Sequence, residues 1–77
     1  MPSVQVNLYA GLRSYIGGKA GIAVEICPGQ TIQELLMGLG IPLEYTKILF
    51  INGRSAVLAS PLEEGDEVGI FPAIGGG

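Results

Sequence analysis

The 77-residue sequence predicts an α+β fold, a mixed sheet of four to five strands with one main helix across one face. Three observations predict it. Two segments, 3–9 and 22–27, alternate apolar and polar residues with the period of a half-buried strand. Thr31-Ile-Gln-Glu34 is a capping box that opens a run of helically spaced leucines. Three further short apolar segments follow, the first two joined by Asn52-Gly53, a strong two-residue hairpin signal.

Each element has its own warrant. In the first strand Val4, Val6 and Leu8 alternate with Gln5 and Asn7. Leu12, Tyr15 and Ile16 then fall at i, i+3 and i+4, the spacing of a short helical turn, before Gly17, Gly18 and Gly21 break it. The second strand sets Ile22, Val24 and Ile26 on one face and Ala23, Glu25 and Cys27 on the other, and Pro28-Gly29 turns the chain. The helix is predicted over 31–39, with Ile32, Leu35, Leu36 and Leu39 on its apolar face. Gly40 ends it and Pro42 forbids its continuation. Ile48 to Ile51 is a continuously apolar strand, residues 54–59 return as its hairpin partner, Pro61 to Glu67 is a polar turn, and Val68 to Phe71 is the last strand. Strand, strand, helix, strand, strand, strand is the β-grasp, ubiquitin-like order, since a helix across one sheet face is the simplest closure of so small a core. The division expected is a single domain over 1–71 and an extended Gly-rich tail over 72–77. The simplest face assignment turns Val4, Val6, Leu8, Ile22, Val24, Ile26, Ile48, Phe50, Val68 and Ile70 toward the helix. It leaves Leu49, Ile51 and Phe71 on the open face of the sheet.

Composition narrows the function classes. At 48% hydrophobic and 14% charged, the chain is too apolar to be intrinsically disordered. Its longest apolar runs are four residues, against about 20 for a membrane span. No basic region with a long apolar stretch follows Met1-Pro2-Ser3, so a cytoplasmic domain is expected. The net charge is −3, and Arg13, Lys19, Lys47 and Arg54 are scattered, which argues against nucleic acid as a partner. Without histidine there is no Ser-His-Asp or Cys-His arrangement, and with Cys27 alone there is no disulfide within the chain and no typical zinc site. A carrier or binding module is therefore expected, not an enzyme.

The informative segment is Phe71-Pro72-Ala73-Ile74-Gly75-Gly76-Gly77. Glycine has no Cβ, so Gly75 and Gly76 suit a slot too narrow for any side chain. Residues 72–77 reach about 20 Å when extended, which puts the Gly77 carboxylate at the end of a thin lead. A carboxylate is a poor acyl electrophile until it gains a leaving group, so a partner must activate it. The chain has no means of its own: Gly17-Gly18-Lys19-Ala20 lacks both the earlier glycine, where Arg13 stands, and the hydroxyl residue after the lysine that a phosphate-binding loop needs.

Leu62-Glu63-Glu64-Gly65-Asp66-Glu67-Val68, then Phe71-Pro72, then the terminal glycines, resembles the end of the MoaD/ThiS family of sulfur carriers. Leu8-Tyr9-Ala10-Gly11-Leu12-Arg13, Pro28-Gly29-Gln30-Thr31-Ile32 and Ile51-Asn52-Gly53 are similar to residues that family has upstream. The resemblance implies that a ubiquitin-activating-type enzyme adenylates Gly77 with ATP. It implies that a persulfide donor converts the acyl-adenylate to a thiocarboxylate, and that this group donates sulfur in cofactor biosynthesis. No cofactor is bound by the carrier itself. The Phe-Pro pair is more similar to the MoaD-like branch, whose acceptor is the large subunit of molybdopterin synthase. The third glycine departs from that branch and occurs in some ThiS-like tails, which serve the thiazole of thiamine. A tungsten cofactor, a tRNA base or a sulfur-containing amino acid are the other acceptors. The rival readings are a ubiquitin-like modifier joined to lysines through Gly77 and a non-covalent β-grasp interaction module.

Phe71, Leu49 and Ile51 are the expected docking residues, with Pro72 and Ile74 beside them; the alternative is that some of the three are core under a bulge or a loop. Arg54 is placed either to pair with a partner carboxylate or as a plain surface arginine. Glu63, Glu64, Asp66 and Glu67 are read as a solvated turn, with steering toward a basic partner the alternative. Cys27 is read as a small semi-buried residue.

Overall fold

A computed structural model describes residues 2–72. Its strands are β1 (Ser3–Leu8), β2 (Gly21–Glu25), β3 (Thr46–Ile51), β4 (Arg54–Ala56) and β5 (Glu67–Pro72), with one α-helix, α1 (Ile32–Leu39). Short 3-10 helices span Ala10–Ile16 and Leu43–Tyr45. The five strands form one sheet in the order β2-β1-β5-β3-β4. β1 and β5 are parallel at its centre, and the other neighbours are antiparallel. This is the expected β-grasp.

The local signals are realised in detail. The Thr31 hydroxyl accepts from the Glu34 N–H at 3.3 Å while Glu34 Oε1 accepts from the Thr31 N–H at 3.0 Å. Two further N–H groups of the first helical turn are satisfied from outside the helix, since Ile32 donates to the Ser60 carbonyl and Gln33 to the Leu58 carbonyl. Gly40 closes α1 in the left-handed conformation at φ 77°, where glycine carries no steric cost. Asn52 and Gly53, at φ 53° and 80°, make the hairpin turn with positive φ at both central residues, which matches the twist of the flanking strands.

The core lies between the sheet and α1. Val4, Val6 and Leu8 of β1, Val68 and Ile70 of β5, and Ile32, Leu35 and Leu36 of α1 are buried. The face assignment of β3 is reversed from the expected one. Leu49 is 7% exposed and belongs to the core, Ile51 packs against it, and Ile48 is 46% exposed. The ladder with β5 gives the reason: Leu49 lies opposite Ile70 and Ile51 opposite Val68, and directly paired residues share a face. An irregularity in that ladder between Thr46 and Ile48 sets the register. Leu62, in the stretch read as a polar turn, is buried, as is Ile41 after the helix. The hairpin partner, expected within 54–59 as a short or irregular strand, is the three-residue β4. Cys27 is exposed, not semi-buried.

Candidate functional site

β5 positions the site. It runs up the middle of the sheet between β1 and β3, and Pro72, opposite Thr46, is its last residue. On the open face Phe71 stacks on Tyr9, with ring centroids 4.2 Å apart and planes within 4°, and meets the edge of Phe50 at 5.8 Å. Such aromatic pairs contribute about 0.5–1.5 kcal/mol beyond area burial, so the three rings hold one another in place. Gly69 leaves the floor between them open, because even a Cβ there would only touch Tyr9 and Phe50 at 3.8 Å. The result is a shallow hollow of about 340 Å³ lined by Asn7, Tyr9, Phe50, Gly53, Glu67, Gly69 and Phe71. Asn7 Nδ2 donates to Glu67 Oε2 at 3.1 Å, giving the apolar floor a polar rim. Ile48, opposite Phe71, extends the apolar surface. On the other side Pro72 borders a second hollow with Leu12, Tyr15 and Tyr45, and both tyrosines are exposed.

Of the expected docking residues, Phe71 is on the open face and Pro72 is at the strand's end. Leu49 and Ile51 are not on that face, because the β3–β5 register turns them into the core. Arg54 is exposed on β4 and lines a different hollow with Asn52, Ser55 and Asp66. Ile74, Gly75, Gly76 and Gly77 lie outside the described residues. Tyr9, Phe50 and Ile48 complete the face and were not expected there. Tyr9 had a signal, since it continues the parity of Gln5 and Asn7 by one step. Phe50 and Ile48 had none, because an unbroken apolar run carries no alternation.

The acidic turn fastens the loop. Asp66 accepts from the Asn52 side-chain amide at 2.9 Å and from the Glu63 N–H at 2.8 Å, and Glu64 accepts from the Ser3 N–H at 3.2 Å. Among the described residues no group of three or more His, Cys, Asp or Glu side chains gathers to hold a metal, and no helix is long and apolar enough to cross a membrane.

Fold and face together define a β-grasp domain whose central strand carries an aromatic platform up to the tail. The sequence matches the model of the ThiS family over residues 6–77. No curated protein matches it in sequence. In structure it is similar to small archaeal modifier protein 1 of H. volcanii, at TM-score 0.77 and 20% identity over 96% of this chain and 100% of that one. It is similar to a Caldiarchaeum subterraneum ubiquitin, at TM-score 0.64 and 16% identity over 99% and 98%. It also resembles a chain from the complex of subunits 1 and 2 of the molybdopterin-converting factor of Helicobacter pylori, at TM-score 0.60 and 20% identity over 97% and 99%. At these identities the structures establish the fold, and the family match establishes the rest: the chain belongs to the ThiS family. The family is one of small ubiquitin-fold sulfur carrier proteins.

Proposed function

We propose that this chain is a co-substrate that carries sulfur on its Gly77 carboxyl group, with molybdopterin synthesis as the favoured destination. The observation that carries this reading is the family match, which runs through the glycine tail to residue 77. The geometry supports it: β5 ends at Pro72 beside the aromatic face, so a partner that grips Phe71, Tyr9 and Phe50 has the tail leading from the same place.

The chemistry follows from the needs of a carboxylate. The Gly77 carboxylate attacks the α-phosphate of ATP in a ubiquitin-activating-type partner and pyrophosphate leaves. The outer sulfur of a persulfide then attacks the acyl carbon and displaces AMP. A thiol cleaves the sulfur–sulfur bond, leaving a thiocarboxylate on Gly77 and a disulfide on the donor. The thiocarboxylate is a soft nucleophile at the tip of a lead without side chains, suited to a buried synthase site. That synthase is the analogue of subunit 2, which the H. pylori protein binds. The Phe71-Pro72 pair favours the molybdopterin branch over the thiamine one. ATP and the sulfur donor belong to the activating partner.

Pyrophosphate release tests the first step. With an activating enzyme of this type and ATP, the full chain is expected to release one pyrophosphate per carrier, and a chain lacking Gly76 and Gly77 none. Equal release from both chains would leave the tail without its role. A ladder of larger conjugates would replace the carrier reading with the modifier one.

A further inference from the structure

Of the two asparagines in the chain, Asn7 precedes Leu8 and Asn52 precedes Gly53. The difference is chemical. A backbone nitrogen can attack the side-chain carbonyl carbon of the asparagine before it, and a Cβ on the attacking residue obstructs the approach. Glycine has no Cβ, so the attack is least hindered at Asn52. Asn52 and Gly53 are both exposed at the tip of the β3–β4 hairpin, open to water.

The Asn52 side chain is nevertheless engaged at both ends. Its Oδ1 accepts from the Glu67 N–H at 2.9 Å, and its Nδ2 donates to Asp66 Oδ1 at 2.9 Å. The Asn52 N–H donates to the Glu67 carbonyl at 2.8 Å. Asp66 is fixed in turn, since its Oδ2 accepts from the Glu63 N–H at 2.8 Å and its carbonyl from the Gln5 N–H at 2.9 Å. The sheet order gives these bonds a direction. β3 lies between β5 and β4, so the amide is held toward the start of β5 while the chain turns the other way, through Gly53 into β4. Attack by the Gly53 nitrogen requires the amide to leave both partners and swing back.

We propose that Asn52 is a deamidation site held in check by Asp66 and Glu67, and that its conversion unlatches the corner joining the hairpin to β5. In the reaction the Gly53 nitrogen bonds to Asn52 Cγ, the Cγ–Nδ2 bond breaks, and the amide nitrogen leaves as ammonia with the proton from Gly53. Water then opens the cyclic imide at either carbonyl, giving aspartate or isoaspartate. Aspartate replaces the Nδ2 donor with a carboxylate oxygen facing Asp66 Oδ1, so two like charges meet where a hydrogen bond stood. Isoaspartate in addition lengthens the main chain by one carbon inside a two-residue turn, on which the Ile51↔Arg54 pairing depends. Gly53 and Glu67 line the aromatic hollow, so either change falls at its rim.

Trypsin isolates the site, because Lys47 and Arg54 bracket the segment Ile48–Arg54. The full chain is aged in mildly alkaline buffer beside a synthetic peptide of residues 48–54, and mass spectrometry follows exchange of the side-chain NH2 for OH. The peptide is expected to convert at least about tenfold faster than the folded chain, the weight of two hydrogen bonds of which one goes to a charged group. Asp66→Ala, with circular dichroism confirming the fold, is expected to convert about fivefold faster than the parent. Leu49→Ala, weakened in the core, is expected to stay within about twofold of it, since the opening required is local. Asn52→Asp isolates the consequence and is expected to speed amide exchange at Glu63 about tenfold by displacing its acceptor. A peptide no faster than the folded chain, an Asp66→Ala rate equal to the parent's, equal acceleration in Leu49→Ala, or Glu63 exchange unchanged in Asn52→Asp would each overturn the proposal.

Discussion

Phe71 connects two roles that pull in different directions. Its ring is half-buried against Tyr9 and Phe50 on the open face, and under the proposed function it is part of the surface a partner would grip. Truncating it removes two aromatic contacts without opening the core, because Val68 and Ile70 pack on the opposite face of β5. Phe71→Ala is therefore expected to fold, with a stability loss of about 1–2 kcal/mol by urea titration. The same variant is expected to raise at least tenfold the carrier concentration needed for half-maximal pyrophosphate release, the behaviour of an aromatic anchor at an interface. Unchanged activation would move the docking surface elsewhere. Gly21 shows the opposite kind of constraint. A Cβ there would collide with the Asn7 side chain and lie 2.9 Å from the Val6 carbonyl, so the position excludes side chains for reasons of packing alone.

At the scale of the element, β3 decides what the open face is. Its register with β5 makes Leu49 a core residue and Ile48 a surface one. Leu49→Ala is expected to cost about 2–4 kcal/mol and Ile48→Ala less than about 1 kcal/mol, read from denaturant midpoints. A reversed order of the two would mean that β3 is turned over. The same strand marks the limit of what the sequence discloses. Where polar residues alternate with apolar ones, as in Val4-Gln5-Val6-Asn7-Leu8, the facing of each side chain is legible, and so was the capping box that starts α1. Ile48-Leu49-Phe50-Ile51 is apolar throughout, so its facing depends on a long-range register that no local pattern encodes. The place of Phe71 on the open face is legible from parity, as is that of Tyr9, whereas Phe50 and Ile48 depend on the register. Leu62 is hidden for a related reason: it sits between Pro61 and two glutamates, yet it is buried in the core, with its N–H donating to the Gln30 carbonyl.

Over the whole molecule the parts divide the work. The sheet and α1 make a core with no buried polar side chain among the described residues, so its demands are met by apolar packing. The helix face of the sheet is used up in that packing, and the open face carries the rings, leaving β5 to present both platform and tail from one strand. The central claim is that Gly77 carries sulfur. Intact mass tests it most directly, on chain incubated with extract of its native cell, ATP and a sulfur source. The account predicts exchange of one C-terminal oxygen for sulfur, absent from a variant lacking Gly77. An unchanged mass, in an extract shown to convert another carrier, would contradict it.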